Sequence, residues 1–341
     1  MAAGDAAASK AQRMLGDFAT YDAYVDIVSA FEWLFVHSGL FAGRVRHFER
    51  FPKIVMVDAE GHQVESTPDF TLVFNDDTGL VGEIAKLALH ENSVDKAVKQ
   101  IGKYDRLDRL PIDSNGNCVP VTDINVMQIV PFRDGLDAVR RIIVERMLSK
   151  EHFYKPSKAP IIVQYDRDDV RYTFQRLQNS ENGKLPAVEE PVTLGWLLDR
   201  GLKVRISHMV GVKATRKFMN DPIDPLYLAT HLWSQHWPTQ FPNISADVTV
   251  VPNEIAEVLR DRFGKCRTDE VRHALGLLQS AGLAADNRDG TWEVSRKKLR
   301  LTGEKDEHRI IALKAAKEAK PVVKARSVEP RPPQFSQDTL F

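Results

Sequence analysis

Two carboxylates, Asp69 and Glu83, lie in apolar runs joined by a short polar turn. The first run, residues 68–74, reads Pro-Asp-Phe-Thr-Leu-Val-Phe, and the turn is Asn75-Asp76-Asp77-Thr78-Gly79. The second run opens Leu80-Val81-Gly82-Glu83-Ile84-Ala85-Lys86. Apolar runs flanking an Asn/Asp/Gly turn predict a β-hairpin, which sets the two acids side by side. Such a pair, with a lysine close by and a polar helix after it, is the minimum equipment for magnesium-dependent hydrolysis of a phosphodiester. Mg²⁺ (or Mn²⁺) takes a few oxygen ligands and keeps waters that can act as nucleophile. The bound ion polarises the phosphate, generates hydroxide and stabilises the leaving oxygen. A lysine two residues beyond the second acid shares its face of the strand. Its ammonium can orient the water or offset charge in the transition state.

The elements that must position these groups follow from periodicity. Residues 21–40 carry Tyr24, Ile27, Val28, Phe31, Leu34 and Phe35 at helical spacing. Residues 53–57 read as a short strand, and 68–74 and 80–89 as the hairpin. Ser93 can cap a helix running to about Leu107, closed by Pro111. Residues 124–130 form a nearly all-apolar strand, expected to be buried on both faces. A helix over 135–150 and strands over 160–165 and 170–177 complete the unit. The order helix, three strands, helix, strand is a mixed α/β plan with a central sheet and flanking helices.

These residues resemble the PD-(D/E)XK nuclease superfamily. Pro68-Asp69, thirteen residues, then Glu83 match its paired acids. Lys99-Gln100-Ile101-Gly102-Lys103-Tyr104 is similar to the Gln-x-x-x-Tyr motif of its RecB-like exonuclease domains. An i,i+4 pair shares one helix face, so Gln100 and Tyr104 can both point back at the hairpin. The resemblance covers roughly residues 18–180 and implies a restriction-endonuclease-like mixed sheet. It implies Asp69 and Glu83 as Mg²⁺ ligands, with Glu32 of the first helix as a candidate third acid. It also implies Gln100 and Tyr104 as groups that steady the DNA strand. One departure stands out. The family pattern places lysine two residues after the second acid, and this chain has Ala85 there, with Lys86 one residue later. Three readings stand: an engineered Lys→Ala change, a bulge that brings Lys86 into the site, or a domain that binds DNA without cutting it.

Beyond Asn179 the texture changes. Residues 181–225 read as a linker or extension, and 226–302 as a mainly helical unit. Helices are expected from Leu226, from Pro252 and from Thr268, followed by a two-stranded ribbon with an Asp-Gly-type turn near Gly290. That order resembles a winged helix-turn-helix, a fold that places its third helix in the major groove. The resemblance makes Lys265, Arg267, Arg272 and Arg288 candidate DNA contacts, the last a phosphate contact from the ribbon. A packing or protein-binding module is the competing reading. Residues 1–17 are expected to be a flexible start and 303–341 a charged, disordered tail. The chain ends Gln337-Asp338-Thr339-Leu340-Phe341. This resembles the Gln-x-x-Leu-Phe peptide that docks on bacterial sliding clamps, with Leu340 and Phe341 as apolar anchors behind Gln337.

Bulk properties bound the rest. The 341 residues are 43% hydrophobic and 28% charged with zero formal net charge, ordinary globular material with length for two domains. The stretch 201–217 carries Lys203, Arg205, Lys213, Arg216 and Lys217 and no acid. Two distant cysteines, Cys118 and Cys266, argue against a disulfide framework or structural zinc. No secretory signal or apolar run of membrane-spanning length is evident, so a cytoplasmic protein is expected. The expectation is a metal-dependent deoxyribonuclease acting in repair, recombination, restriction or antiphage defence. The rivals are a DNA-binding adaptor or regulator with a degenerate nuclease domain, and an RNA-directed nuclease. Oligomeric state is left open.

Overall fold

The alternating pattern of residues 70–84 produces two strands with different neighbours on their two faces. Phe70, Leu72 and Phe74 point to one side, together with Leu80 and Ile84; Val73, Val81 and Ala85 point to the other. The computed structural model describes residues 3–57, 63–85, 91–113, 116–132, 160–177, 194–209, 212, 218, 222–241, 243, 247–298 and 307–317. Within them a seven-stranded mixed sheet forms the centre. Its strands are β1 (Val45–Arg50), β4 (Phe70–Phe74), β5 (Thr78–Ile84), β8 (Asp123–Pro131), β9 (Ile161–Arg167), β10 (Arg171–Arg176) and β11 (Leu202–Arg205), in that spatial order. β5, β8 and β9 run parallel, and every other pairing is antiparallel. Two small hairpins accompany it: β2 (Ile54–Val57) with β3 (Gln63–Ser66), and β6 (Arg109–Pro111) with β7 (Cys118–Pro120).

One face of the sheet packs on α1 (Ala3–Glu32), which ends in a π-helical turn, Trp33–His37. Phe31 stacks on Phe70 at 5.2 Å and leans on Phe174 at 5.0 Å, tying the helix to β4 and β10. Tyr172 Oη donates to the buried Asp26 carboxylate at 3.2 Å. The opposite face carries α2 (Glu91–Tyr104), whose Ala97, Val98, Ile101 and Tyr104 pack with Val73, Val81 and Ala85. α2 is the crossover from β5 to its parallel neighbour β8. The paired carboxylates belong to this α2 face.

The C-terminal part is mainly helical. Pro225–His231 continues through a π-helical turn into Trp237–Gln240; Pro252–Phe263 and Thr268–Ser280 follow. β12 (Asp247–Val250), β13 (Ala284–Asp286) and β14 (Trp292–Ser295) form a three-stranded sheet in the order β12-β14-β13. The ribbon expected from the sequence therefore gains a third strand, whose Val248 and Val250 are buried. A last helix, Glu307–Lys317, lies against α1, with the Phe18 and His308 rings stacked at 4.4 Å. Tyr21 of α1 and Tyr227 meet at 4.6 Å, and one continuous apolar core runs from the sheet through α1 into these helices.

Three expectations are corrected. The start expected to be flexible is helical from Ala3, because the alanine-rich stretch favours helix and Ala11, Met14, Leu15 and Phe18 give it a face to pack. The expected linker supplies the helix Leu194–Asp199 and the seventh strand, β11, with Leu202 and Val204 facing the core. The expected disordered tail contains Glu307–Lys317, whose Ile311, Ala312, Ala315 and Ala316 form a buried apolar stripe. Residues 318–341, with the candidate clamp-binding Gln337, Leu340 and Phe341, lie outside the described residues. So does the helix expected over 135–150.

Candidate active site

β4 and β5 pair in a register that sets Phe70 against Gly82. One step further along the same ladder, Asp69 lies across from Glu83. Gly82 makes that pairing work: a Cβ there would come within 2.1 Å of the Phe70 ring, so only glycine lets the ring lie flat across β5. Asp69 Oδ2 accepts a hydrogen bond from the backbone N–H of Ile84 at 2.6 Å, which anchors the first carboxylate on the second strand. Across from Asp69, Phe51 takes φ 48°, an uncommon conformation for a bulky residue, where the chain leaves β1 for β2.

The second carboxylate is held from above by α2. Gln100 Nε2 donates to Glu83 Oε1 at 2.7 Å, and Tyr104 Oη donates to Glu83 Oε2 at 3.0 Å. Ser66 of β3 hydrogen-bonds the Tyr104 hydroxyl in turn. Glu83 is only 8% exposed. Burial, and then the neighbouring charge of Asp69, pushes its carboxyl well above the ordinary carboxylate value; the bonds from Tyr104 and Gln100 oppose this without cancelling it. Burial also raises the Tyr104 hydroxyl, so it remains a protonated donor.

Ala85 lies on the same face as Glu83. Pairing with β8 runs unbroken from Thr78 to Ile84, and Ala85 N–H continues it with a 2.9 Å bond to Ile129 O. Position 85 thus points where strand alternation places a group two residues after Glu83, and it holds a buried methyl. Lys86, which the bulge reading would bring into the site, lies outside the described residues. Glu32 is not brought to this face. Its carboxylate is paired with the buried Arg50 on the α1 side of the sheet, with His37 at 3.9 Å. Arg50 sits across from Phe70 and shares its α1-facing side, which takes the proposed third acid away from the pair.

No family model, curated protein or solved structure matches this chain. What the site can do therefore rests on its own chemistry. Among the described residues, no three acidic, histidine or cysteine side chains gather into a metal-holding group. The donor set still suits a hard divalent cation. Two carboxylates face each other on one side of a sheet, one of them pushed toward protonation by burial and then by the other's charge, and a cation between them relieves both charges. Sequence reasoning missed the neutral groups around them. Thr71 and Gln128 are buried on the same face, and the Thr71 hydroxyl and both Gln128 amide atoms have no hydrogen-bond partner among the described residues. His47 and Glu49 of β1, 3.0 Å apart, continue the polar face past Thr71. The signal for Gln128 was present: it is a glutamine between apolar neighbours, Met127 and Ile129, in a mostly apolar strand.

The candidate DNA-contacting residues lie elsewhere. Lys265 and Arg267 occupy the turn before helix Thr268–Ser280, Arg272 is exposed on that helix, and Arg288 is exposed at the β13–β14 turn with φ 62°. Arg267 and His273 line a cleft of about 560 Å³ against α1, where they meet Asp17, Asp224 and Asp269. That end of the helix is therefore acidic as well as basic. On the edge strand β11, Lys203 and Arg205 are exposed; Lys213, Arg216 and Lys217 lie outside the described residues. No helix among the described residues is long and apolar enough to cross a membrane.

Proposed function

We propose that this chain carries the site of a metal-dependent deoxyribonuclease of the PD-(D/E)XK kind, hydrolysing DNA with Mg²⁺ or Mn²⁺. The observation that carries the reading is the Asp69–Glu83 pair on one sheet face, with Gln100 and Tyr104 both bonded to Glu83. The succession of α1, the β4–β5 hairpin that carries the two acids, α2 with Gln100 and Tyr104, and then the apolar strand β8 supports it. Asp69 and Glu83 would hold the cation, which supplies a Lewis acid and an acidified water. Gln100 and Tyr104 fix the Glu83 carboxylate against rotation and keep part of its charge compensated before substrate arrives. A lysine at position 85 would present an ammonium on this face beside Glu83; alanine presents none. The C-terminal succession of helix, β12, two helices, β13 and β14 supports a winged-helix-like DNA-holding unit using Lys265, Arg267, Arg272 and Arg288. Repair, recombination, restriction or antiphage defence are the settings we assign, in the cytoplasm, with Gln337–Phe341 as a clamp-docking peptide.

A second reading is favoured by one observation: position 85 is filled by a buried methyl rather than left open. In that reading the chain is a DNA-binding adaptor or regulator whose nuclease domain has lost its lysine. Nicking of supercoiled plasmid with Mg²⁺ and then Mn²⁺ separates the two. We expect Ala85→Lys to nick DNA and Ala85→Lys/Asp69→Ala to be inert. The chain as written should be slower than Ala85→Lys by about 10²-fold or more, the weight of one group that stabilises developing charge. An inert Ala85→Lys protein that still binds DNA would support the adaptor. Cutting that survives Asp69→Ala would place the chemistry elsewhere, and preference for a matched RNA would redirect the substrate.

A further inference from the structure

In the parallel ladder between β5 and β8, Glu83 is paired with Gln128. Gln128 shares the α2 face with Val126 and Val130, whereas Met127 and Ile129 point to the α1 side. Asp69, Glu83 and Gln128 therefore stand in one row across three adjacent strands, on one face. Gln128 is 0% exposed, and among the described residues neither its Oε1 nor its Nε2 has a hydrogen-bond partner. An unsatisfied buried amide is costly, because each polar group left unpaired loses its hydration with nothing in return. Its neighbours on this face of β8, Val126 and Val130, are apolar, and leucine, isoleucine or methionine would fill this place without that cost. A glutamine here is explained if something enters the site and bonds to it.

We infer that Gln128 is a further binding residue of this site, contacting the hydrated cation and the phosphate oxygen carried between Asp69 and Glu83; the inference rests on the metal-site reading above. The two orphaned groups match the two kinds of partner such a complex offers. A metal-bound water is a strong donor and suits Oε1. A phosphate oxygen is an acceptor and suits Nε2. The row also accounts for a metal site that lacks a third acid: the third protein group is a neutral amide, one strand beyond the pair.

The test compares the full chain with Gln128→Met, Gln128→Leu and Asp69→Ala, using Mn²⁺ alone as the probe. Binding is read by calorimetry, and thermal stability is read with and without metal. Methionine matches the volume of glutamine and removes both orphaned groups. We expect the metal-free Gln128→Met protein to melt higher than the parent, while its Mn²⁺ affinity falls about tenfold, the weight of one hydrogen bond to a charged partner. Gln128→Leu should behave alike, and serves if the methionine variant folds poorly. Asp69→Ala should abolish binding. Unchanged Mn²⁺ affinity in both Gln128 variants, with binding lost in Asp69→Ala, overturns the role of Gln128 and leaves the carboxylate site standing. A lower melting temperature with unchanged affinity overturns that role equally, and marks Gln128 as a structural residue bridged by a buried water. Binding that is intact in Asp69→Ala instead overturns the metal-site reading itself.

Discussion

Glu83 is the residue on which the electrostatics of the site turn. It is buried, it faces a second carboxylate, and its two oxygens are occupied by Gln100 and Tyr104. Its folded pKa stands above its ordinary value of 4.5. A carboxyl raised in this way favours the fold fully below its unfolded pKa, and that favour is lost as pH climbs through the folded value. Urea denaturation across pH should therefore show Glu83→Gln overtaking the parent as pH rises above about 4.5, with the gap closing again in acid. Gln100 can turn its amide to serve the new side chain, so the substitution keeps the shape of the site. Parallel curves for the two proteins would mean that Glu83 is not the strained group. Mg²⁺ should narrow the gap at high pH by compensating the charge. At this scale the site was legible where residue type and spacing coincide: Asp69, Glu83, Gln100 and Tyr104 are chemically distinctive and sit on elements that periodicity identifies. Glu32 was misplaced because spacing along α1 does not say which face of the sheet the helix covers. Gln128 was passed over because a polar residue in a mostly apolar strand does not disclose whether its amide is satisfied; Asn125 of the same strand is buried too.

The hairpin of β4 and β5 does the positioning, and its register depends on a glycine. Phe70 lies in a stack between Phe31 and Phe48, so its ring has little room to retreat from a new Cβ on β5. Gly82→Ala should destabilise the fold by about 1–3 kcal/mol, the range for overpacking a filled core, measured as a lowered urea midpoint. It should also weaken metal binding, because residue 82 adjoins Glu83. A variant as stable as the parent would show that the Phe70 ring can move aside. The strongly apolar strands β4, β5 and β8 could be read from sequence with small errors at their ends. β1, β11 and β12 could not. β11 and β12 are only four residues each, and β1, Val-Arg-His-Phe-Glu-Arg, reads as polar. Such strands owe their existence to a neighbouring strand edge rather than to their own composition.

Across the whole molecule, α1 is the shared wall. Its sheet-facing side packs on β4 and β10, and its early turns receive Tyr227 and the helix Glu307–Lys317. The division into two domains with a linker, natural from the change of texture near residue 180, gives way to one continuous apolar core. Sequence could not show this, because the contacts join the first helix to the last described one, about the longest separation the chain allows. The consequence for function is geometric. The carboxylate row faces α2, whereas the C-terminal helices pack on the α1 side, so DNA engaging both must pass around an edge of the sheet. The exposed Lys203 and Arg205 of β11 mark one such edge. Anomalous scattering from a crystal of the parent chain soaked in Mn²⁺ tests the carboxylate site directly. A peak is expected between the Asp69 and Glu83 carboxylates, next to Gln128, and should be lost in Asp69→Ala. Mn²⁺ bound only elsewhere, with the Asp69–Glu83 pair left empty at saturating metal, would contradict it.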